Sequence, residues 1–385
     1  MMPIPHTLPA RQRKIDLGSL ALPWLFFQFG LVCSSWASRI PAVCDHLQLT
    51  PSSLSLALLC GGLGAVGSFP VSAWLMARQG GARTSLYAGF ALLITLPCLA
   101  LAPGILSLML FMLSFGLACG CFDVGVNSVS AHAEKIAGRS LMSMLHAWFC
   151  VGALGGALLG SAMASMTITP TQHFLLLSAL LALPLRFACQ SLPTEVQPRP
   201  HAKKSFELPQ GRLLSLGLIG FFGAMSEGSI SDWSGIFMKD HFGAADGAAP
   251  IALTAFSLMM LCMRLCGDSI KKPFGARRLI VAGALLSAAG LLLSTLAGNA
   301  ALAVGGFGLA GAGLALVFPY VFSAAGRLGP SALAQVATMS YSGSLLGPPI
   351  AGAAAELFGL AATIGLLALL SFGIALAASR TRLLD

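Results

Sequence analysis

The chain has 385 residues, 56% of them hydrophobic and only 9% charged, with a formal net charge of +9 and a mean hydropathy of +0.85. Such a composition excludes a soluble globular domain. The basic residues are dispersed along the chain, which argues against a nucleic-acid-binding surface.

Of the 22 Lys and Arg residues, 19 fall in seven segments. These are Arg11 to Lys14, Arg78 with Arg83, Lys135 with Arg139, Arg186 to Arg212, Lys271 to Arg278, Arg327, and Arg380 with Arg382. Basic flanking residues stay on the cytoplasmic side, so seven such segments predict twelve crossings with both termini cytoplasmic. The expected fold is an all-α membrane protein of twelve transmembrane helices in two six-helix bundles. At about 20 apolar residues per crossing, the predicted spans are 17–41, 52–77, 84–102, 105–131, 139–166, 171–190, 212–238, 248–270, 279–297, 300–326, 332–356 and 359–379. Residues 1–16 form a cytoplasmic tail, 17–190 the first bundle, 191–211 a linker, 212–379 the second bundle and 380–385 a second tail.

Span 1 is too long for a removable signal peptide and has Arg39 rather than a cleavage site near its end. It carries Gln28 as a polar cavity candidate and Trp36 as a flat surface for a solute or an interfacial anchor. Arg39, just before Pro41, has three readings: a partner for Asp232, a contact for an anionic solute, or a snorkelling side chain at a span end. Along span 4 and its cytoplasmic extension, Asp123, Asn127 and Glu134 recur at helical spacing and are expected on one cavity-facing stripe. Acidic residues number only 13, and Asp123 and Glu227 are the two predicted deep in the bilayer. An intramembrane carboxyl is costly unless it faces a cavity or a partner, and it can then alternate between protonated and charged forms. Asp123 is the first proton-carrier candidate, against the alternative of a permanent hydrogen bond to a neighbouring helix. His146 in span 5 is expected at a similar depth and offers either a relay with Asp123 or simple packing. Gly152, Gly155, Gly156 and Gly160 predict a thin, closely packed helix.

The interval from Gln190 to Gly211, with Pro193, Pro198, Pro200 and Pro209, reads as an extended linker. In span 7, Glu227, Ser231 and Asp232 offer hydrogen bonds to a polar solute, and Trp233 offers a second flat surface. Arg264 reads as lying near the basic end of span 8. Gln335 and Tyr341 in span 11 are further polar cavity candidates, and Gly343, Gly347 and Gly352 with Pro348 and Pro349 mark close packing or bending. The ten Cys include no CxxC pair, so no disulfide framework, metal site or cofactor is expected. There is no GxxxxGK[ST] sequence, which argues against direct ATP drive.

The two halves are weakly alike. Gly81-Ala82-Arg83 recurs as Gly275-Ala276-Arg277, and Gly116-Leu117-Ala118 as Gly308-Leu309-Ala310, the latter at an offset of 192 residues. A six-plus-six parallel repeat is the arrangement of transporters that bind solute between their halves near mid-membrane. At this point the chain resembles the major facilitator superfamily, and within it the fucose-permease-like branch of bacterial inner-membrane proteins. The resemblance rests on Phe26-Phe27-Gln28-Phe29-Gly30-Leu31 with Ile40-Pro41, on Asp123-Val124-Gly125-Val126-Asn127, and on Glu227-Gly228-Ser229-Ile230-Ser231-Asp232-Trp233. It implies an inner-membrane location and a cytoplasmic loop latch formed by Arg78, Gly80 and Arg83 in the first half and Asp268 and Arg277 in the second. The first loop lacks the superfamily's Asp, and the acid that sugar permeases carry in span 1 falls at Ala37.

Together these readings predict a proton-coupled secondary transporter of a small polar solute such as a sugar, working as a monomer in the lipid bilayer. The alternatives are proton-driven efflux of an amphipathic compound and a non-transporting membrane sensor. The Gly-Pro motif that efflux antiporters carry in span 5 is absent, and no nucleophile-base or metal-ligand spacing supports an enzyme.

Overall fold

The computed structural model describes residues 10–137, 141–192 and 209–384. The first part of the N-terminal tail, Arg139 and most of the linker lie outside the described residues. Within them the chain is helical, in the order α1 (Ala10–Leu47), α2 (Pro51–Ala100), α3 (Ile105–Ala137), α4 (Met142–Ser165), α5 (Pro170–Gln190), α6 (Leu213–Phe242), α7 (Ile251–Phe274), α8 (Ala276–Leu296), α9 (Ala300–Leu314), α10 (Val317–Arg327), α11 (Pro330–Phe358) and α12 (Leu360–Arg380). Among the described residues, nine helical segments are long and apolar enough to cross a membrane. The 50-residue α2 is long enough for two crossings.

Within α2, spans 2 and 3 are two helices that meet at Gly80, where the backbone leaves the helical conformation with φ 79° and ψ 167°, as expected. One predicted span differs. Span 10 was expected whole, but it breaks into α9 and α10 around Ala315 and Leu316. Pro319 explains the break: it has no backbone N–H, so the Ala315 carbonyl loses its partner four residues on.

The apolar core divides in two. One cluster is built on Leu25, Leu92, Phe122 and Phe174 of the first half, and the other on Ile219, Phe256, Phe307 and Leu367 of the second. Because lipid is as apolar as Leu, tight seams between such helices depend on small residues that let backbones approach. A Cβ at Gly152 would run into the Phe27 carbonyl on α1, and one at Gly343 into the Phe221 carbonyl on α6. The glycine-rich helices of spans 5 and 11 therefore pack closely, as expected.

The same seams reveal the repeat at a different register. A Cβ at Gly116 would meet the Gly61 carbonyl, and one at Gly311 would meet the Phe256 carbonyl. Gly80 and Gly275 make the same backbone turn, with φ 79° and 77°. All three correspondences are offset by 195 residues, which corrects the offset of 192 read from Gly116 and Gly308.

The turn conformation of Gly275 (φ 77°, ψ 153°) belongs to a region essentially confined to glycine. Gly275→Ala is expected to cost about 1–3 kcal/mol and to lower the melting temperature in detergent. Gly365→Ala, at a helical position open to space in α12, is expected not to lower it.

Candidate functional site

Polar side chains gather at three places where the halves meet. The first is the end of the molecule opposite the basic turns. There Lys239 of α6 pairs with Asp45 of α1, and also with Asp246 at 2.6 Å. The Ser52 amide donates to Glu356 Oε2 at 3.3 Å, Ser55 Oγ donates to the Pro348 carbonyl at 3.0 Å, and Ser161 Oγ donates to the Gly247 carbonyl. Trp233 is fully buried and joins the first half's core together with Ile236, Ala351 and Ala355. These contacts seal the basic-poor end across α1, α2, α4, α6 and α11. Between described residues, the other hydrogen bond that crosses the halves joins Arg264 to Cys150.

That second place is built around Arg264 of α7, about 20 Å along the helix from Ile251 at 1.5 Å per residue. Its Nε donates to the Ala315 carbonyl at 3.2 Å, the carbonyl that Pro319 leaves without a helical partner. Nη1 reaches Cys150 Sγ of α4 at 2.7 Å, across the junction of the halves. Nη2 lies 3.6 Å from Glu227 Oε1 of α6, an ion pair with both side chains partly accessible. The Oε2 atom of Glu227 is buried without a partner among the described residues. His146, one turn before Cys150, stands edge-on to Phe26 at 5.2 Å and within electrostatic reach of Arg264.

The third place is a cleft of about 90 Å³ between α2, α3 and α11, lined by Phe69, Asp123, Tyr341 and Leu345 among others. Asp123 accepts from Asn127 Nδ2 at 2.8 Å, one helical turn away. Tyr341 crosses from the second half to stand edge-on to Phe69 at 5.7 Å. At the 195-residue offset Phe69 is the repeat counterpart of Arg264; the seams of Gly152 on Phe27 and Gly343 on Phe221 relate α4 to α11 at 191 residues, which makes Tyr341 the counterpart of Cys150. One junction of the pseudo-symmetric pair is thus charged and the other aromatic.

The sequence-predicted residues fall as follows. Asp123, Asn127 and Tyr341 come together at the cleft; Glu227 and His146 gather around Arg264, so His146 is placed with Arg264 rather than with Asp123. Glu134 Oε1 accepts from the Leu141 amide at 2.8 Å, which ties the end of α3 to the start of α4. Ser231 Oγ donates to the Glu227 carbonyl of its own helix at 3.0 Å, and Asp232 is half-buried. Arg39 is a correction: its guanidinium donates to the carbonyls of Gly160 at 3.3 Å and Ile168 at 2.6 Å, clamping its own half instead of pairing with Asp232. Trp36 is also interior, packed beside Phe174. Gln28 is fully buried, its amide without a partner among the described residues. Gln335 sits at the start of α11, where Nε2 is 3.4 Å from Ser331 Oγ.

At the loops named as a latch, Arg78 lies over the Trp74 ring at 4.2 Å, Arg83 is exposed, and Arg277 donates to the Ser379 carbonyl. The Asp268 side chain lies outside the described residues. The residue that sequence reasoning missed is Arg264. Lys271 and Lys272 nearby made it read as a flanking charge, although it falls inside the apolar run Ile251–Gly267. The rule that marks intramembrane ionisable groups as functional applies to it as much as to the acids, and Pro319 signalled the free carbonyl it serves.

No family model matches the chain. It is 32% identical over 357 residues, 92% of this chain and 93% of the relative, to an uncharacterized MFS-type transporter of Yersinia pestis. An uncharacterized transporter of Sinorhizobium fredii is 33% identical over 348 residues, with 88% and 92% of the two chains covered. Among solved structures, the nucleoside transporter NupG matches with a TM-score of 0.74 at 17% identity, covering 94% of this chain and 98% of its own. A bacterial homolog of the human lysosomal transporter Spinster, in an inward-facing and unoccupied conformation, matches with a TM-score of 0.73 at 13% identity, covering 97% and 98%. At those identities the structural likeness shows the fold.

The sealed end makes a direct prediction. An exposed ion pair contributes about 1 kcal/mol or less, so Lys239→Ala is expected to raise the population open at that end by up to about five-fold. Hydrogen exchange of residues 45–55 and 235–250 should speed up accordingly, while exchange in α8 and α12 stays unchanged.

Proposed function

The chain belongs to the major facilitator superfamily of membrane transporters, and we propose that it is a proton-coupled secondary transporter of a small polar solute, such as a sugar or related metabolite. Two rocking halves, 17–190 and 212–379, expose a central site to one compartment and then the other. With the basic turns cytoplasmic, the seal around Lys239 and Trp233 closes the outer side in the conformation described.

The observation that carries this reading is the position of Asp123. Its carboxyl opens on a cleft whose walls come from both halves, so a change in its charge acts on the surface along which the halves separate. In a low-dielectric site a charged carboxylate must be solvated or paired, whereas a neutral acid is tolerated when the surface closes. Asn127 Nδ2 holds the Asp123 carboxyl in place through its hydrogen bond. Proton release and uptake at Asp123 thereby become steps of the transport cycle, and the fucose-permease-like motifs around Asp123 and Glu227 favour a hydroxylated solute.

One observation favours a second reading. The Asp123 cleft is bordered by Phe69, Tyr341, Val66 and Leu345 as well as by the acid, a surface that also suits an amphipathic compound moved outward.

Asp123→Asn is expected to abolish proton-driven accumulation in proteoliposomes while leaving solute exchange at no less than about half the wild-type rate. Unchanged uphill uptake by the variant removes Asp123 from coupling. Proton-driven extrusion of a lipophilic cation without uptake of any polar solute would favour the second reading.

A further inference from the structure

The transport cycle as derived from Asp123 leaves Arg264 without a task. Its surroundings are incomplete in a specific way. A guanidinium carries five N–H donors in a planar fork. Here one donor has a full-strength acceptor, the Ala315 carbonyl; a second has only a thiol sulfur, a weak acceptor; and the nearest carboxylate oxygen, at 3.6 Å, is beyond hydrogen-bond distance.

Glu227 is incomplete in the complementary sense. One oxygen stands loosely against the fork and the other is buried without a partner among the described residues. Arg39, the other arginine deep among the helices, donates two hydrogen bonds to carbonyls of its own half and belongs to the scaffold. The Arg264 fork instead lies where α4 of one half meets α6, α7 and the break between α9 and α10 of the other, and part of it remains accessible. A planar group with two oxygens matches it best, because Arg–carboxylate pairs are bidentate where geometry allows.

Resting on the transport reading above, we propose that Arg264 is the solute-binding residue and that the solute is a small organic carboxylate, which replaces the Glu227 carboxylate on the guanidinium. Glu227 already occupies the place of the ligand. When the solute takes over the fork, the Glu227 carboxylate is released from the guanidinium and the solute's carboxylate stands in its place. One carboxylate anion and the proton carried by Asp123 then cross together, with no net charge moved. The groups that face this exchange are Arg264 of α7 and Cys150 of α4, with His146 of α4 beside the guanidinium.

The test uses purified full-length protein in proteoliposomes, with gluconate, galacturonate and lactate as acid probes and glucose, fucose and inositol as neutral ones. Expected are counterflow of at least one acid, uptake of that acid unaffected by a clamped membrane potential, and an affinity lowered about ten-fold or more by Arg264→Lys, which keeps the charge but loses the fork. Glu227→Gln, which removes the competitor for the fork, should bind the acid at least as tightly as the wild type, which provides a readout if the Arg264 variant fails to fold; weaker binding overturns the proposal. Counterflow of neutral probes alone overturns this proposal and leaves the transport reading standing. Wild-type acid affinity in Arg264→Lys, or acid uptake that moves net charge, also overturns it. Flux of neither class contradicts both readings.

Discussion

A guanidinium placed about 20 Å into an apolar helix must be satisfied by its own neighbours, since hydrocarbon offers it nothing. Arg264 meets this constraint by drawing on several helices at once. It takes a carbonyl from the break between α9 and α10, a sulfur from α4 and a carboxylate from α6. The break, the glycine-rich approach of α4 and the deep acid of span 7 are distant in sequence, yet each has its place because the charge needs them. Removing one member of such a group strands the others, which is why buried ionic clusters are poor sources of stability but strong determinants of arrangement.

The repeat supplies the frame in which this charge is unusual. Seams at Gly116 and Gly311 and turns at Gly80 and Gly275 relate the halves at an offset of 195 residues, and the seams at Gly152 and Gly343 relate α4 to α11 at 191, so the two junctions between the halves have corresponding positions. One junction holds His146, Cys150 and Arg264, and the other holds Phe69, Tyr341 and Leu345. Backbone symmetry permits rocking, whereas side-chain asymmetry gives the two junctions different chemistry. The aromatic junction borders Asp123, so both ionisable sites lie along the surface where the halves part.

Much of the fold was legible because membrane physics writes it plainly. Basic segments at alternate gaps and apolar stretches of bilayer length predict the helices to within a few residues, and the rarity of acids singles out Asp123 and Glu227. What was not legible depends on three-dimensional partners. Arg39 and Arg264 look alike as isolated cations, and only the carbonyls of Gly160 and Ile168 reveal one as a clamp. Trp36 and Trp233 look like platforms, but their burial makes them core. The repeat register slipped by three residues because Gly-rich helices align with themselves in several ways, and a backbone turn with positive φ settles what letter matching leaves ambiguous.

The account stands on the two halves separating at one end as they close at the other. Distances between spin labels on a cysteine-free background test it most directly, with one pair at positions 52 and 357 on the basic-poor ends of α2 and α11 and another at 78 and 331 near the basic end. As the proton gradient is reversed, one distance should lengthen while the other shortens. Distances that stay fixed, or that change in the same sense at both ends, would contradict alternating access in this protein.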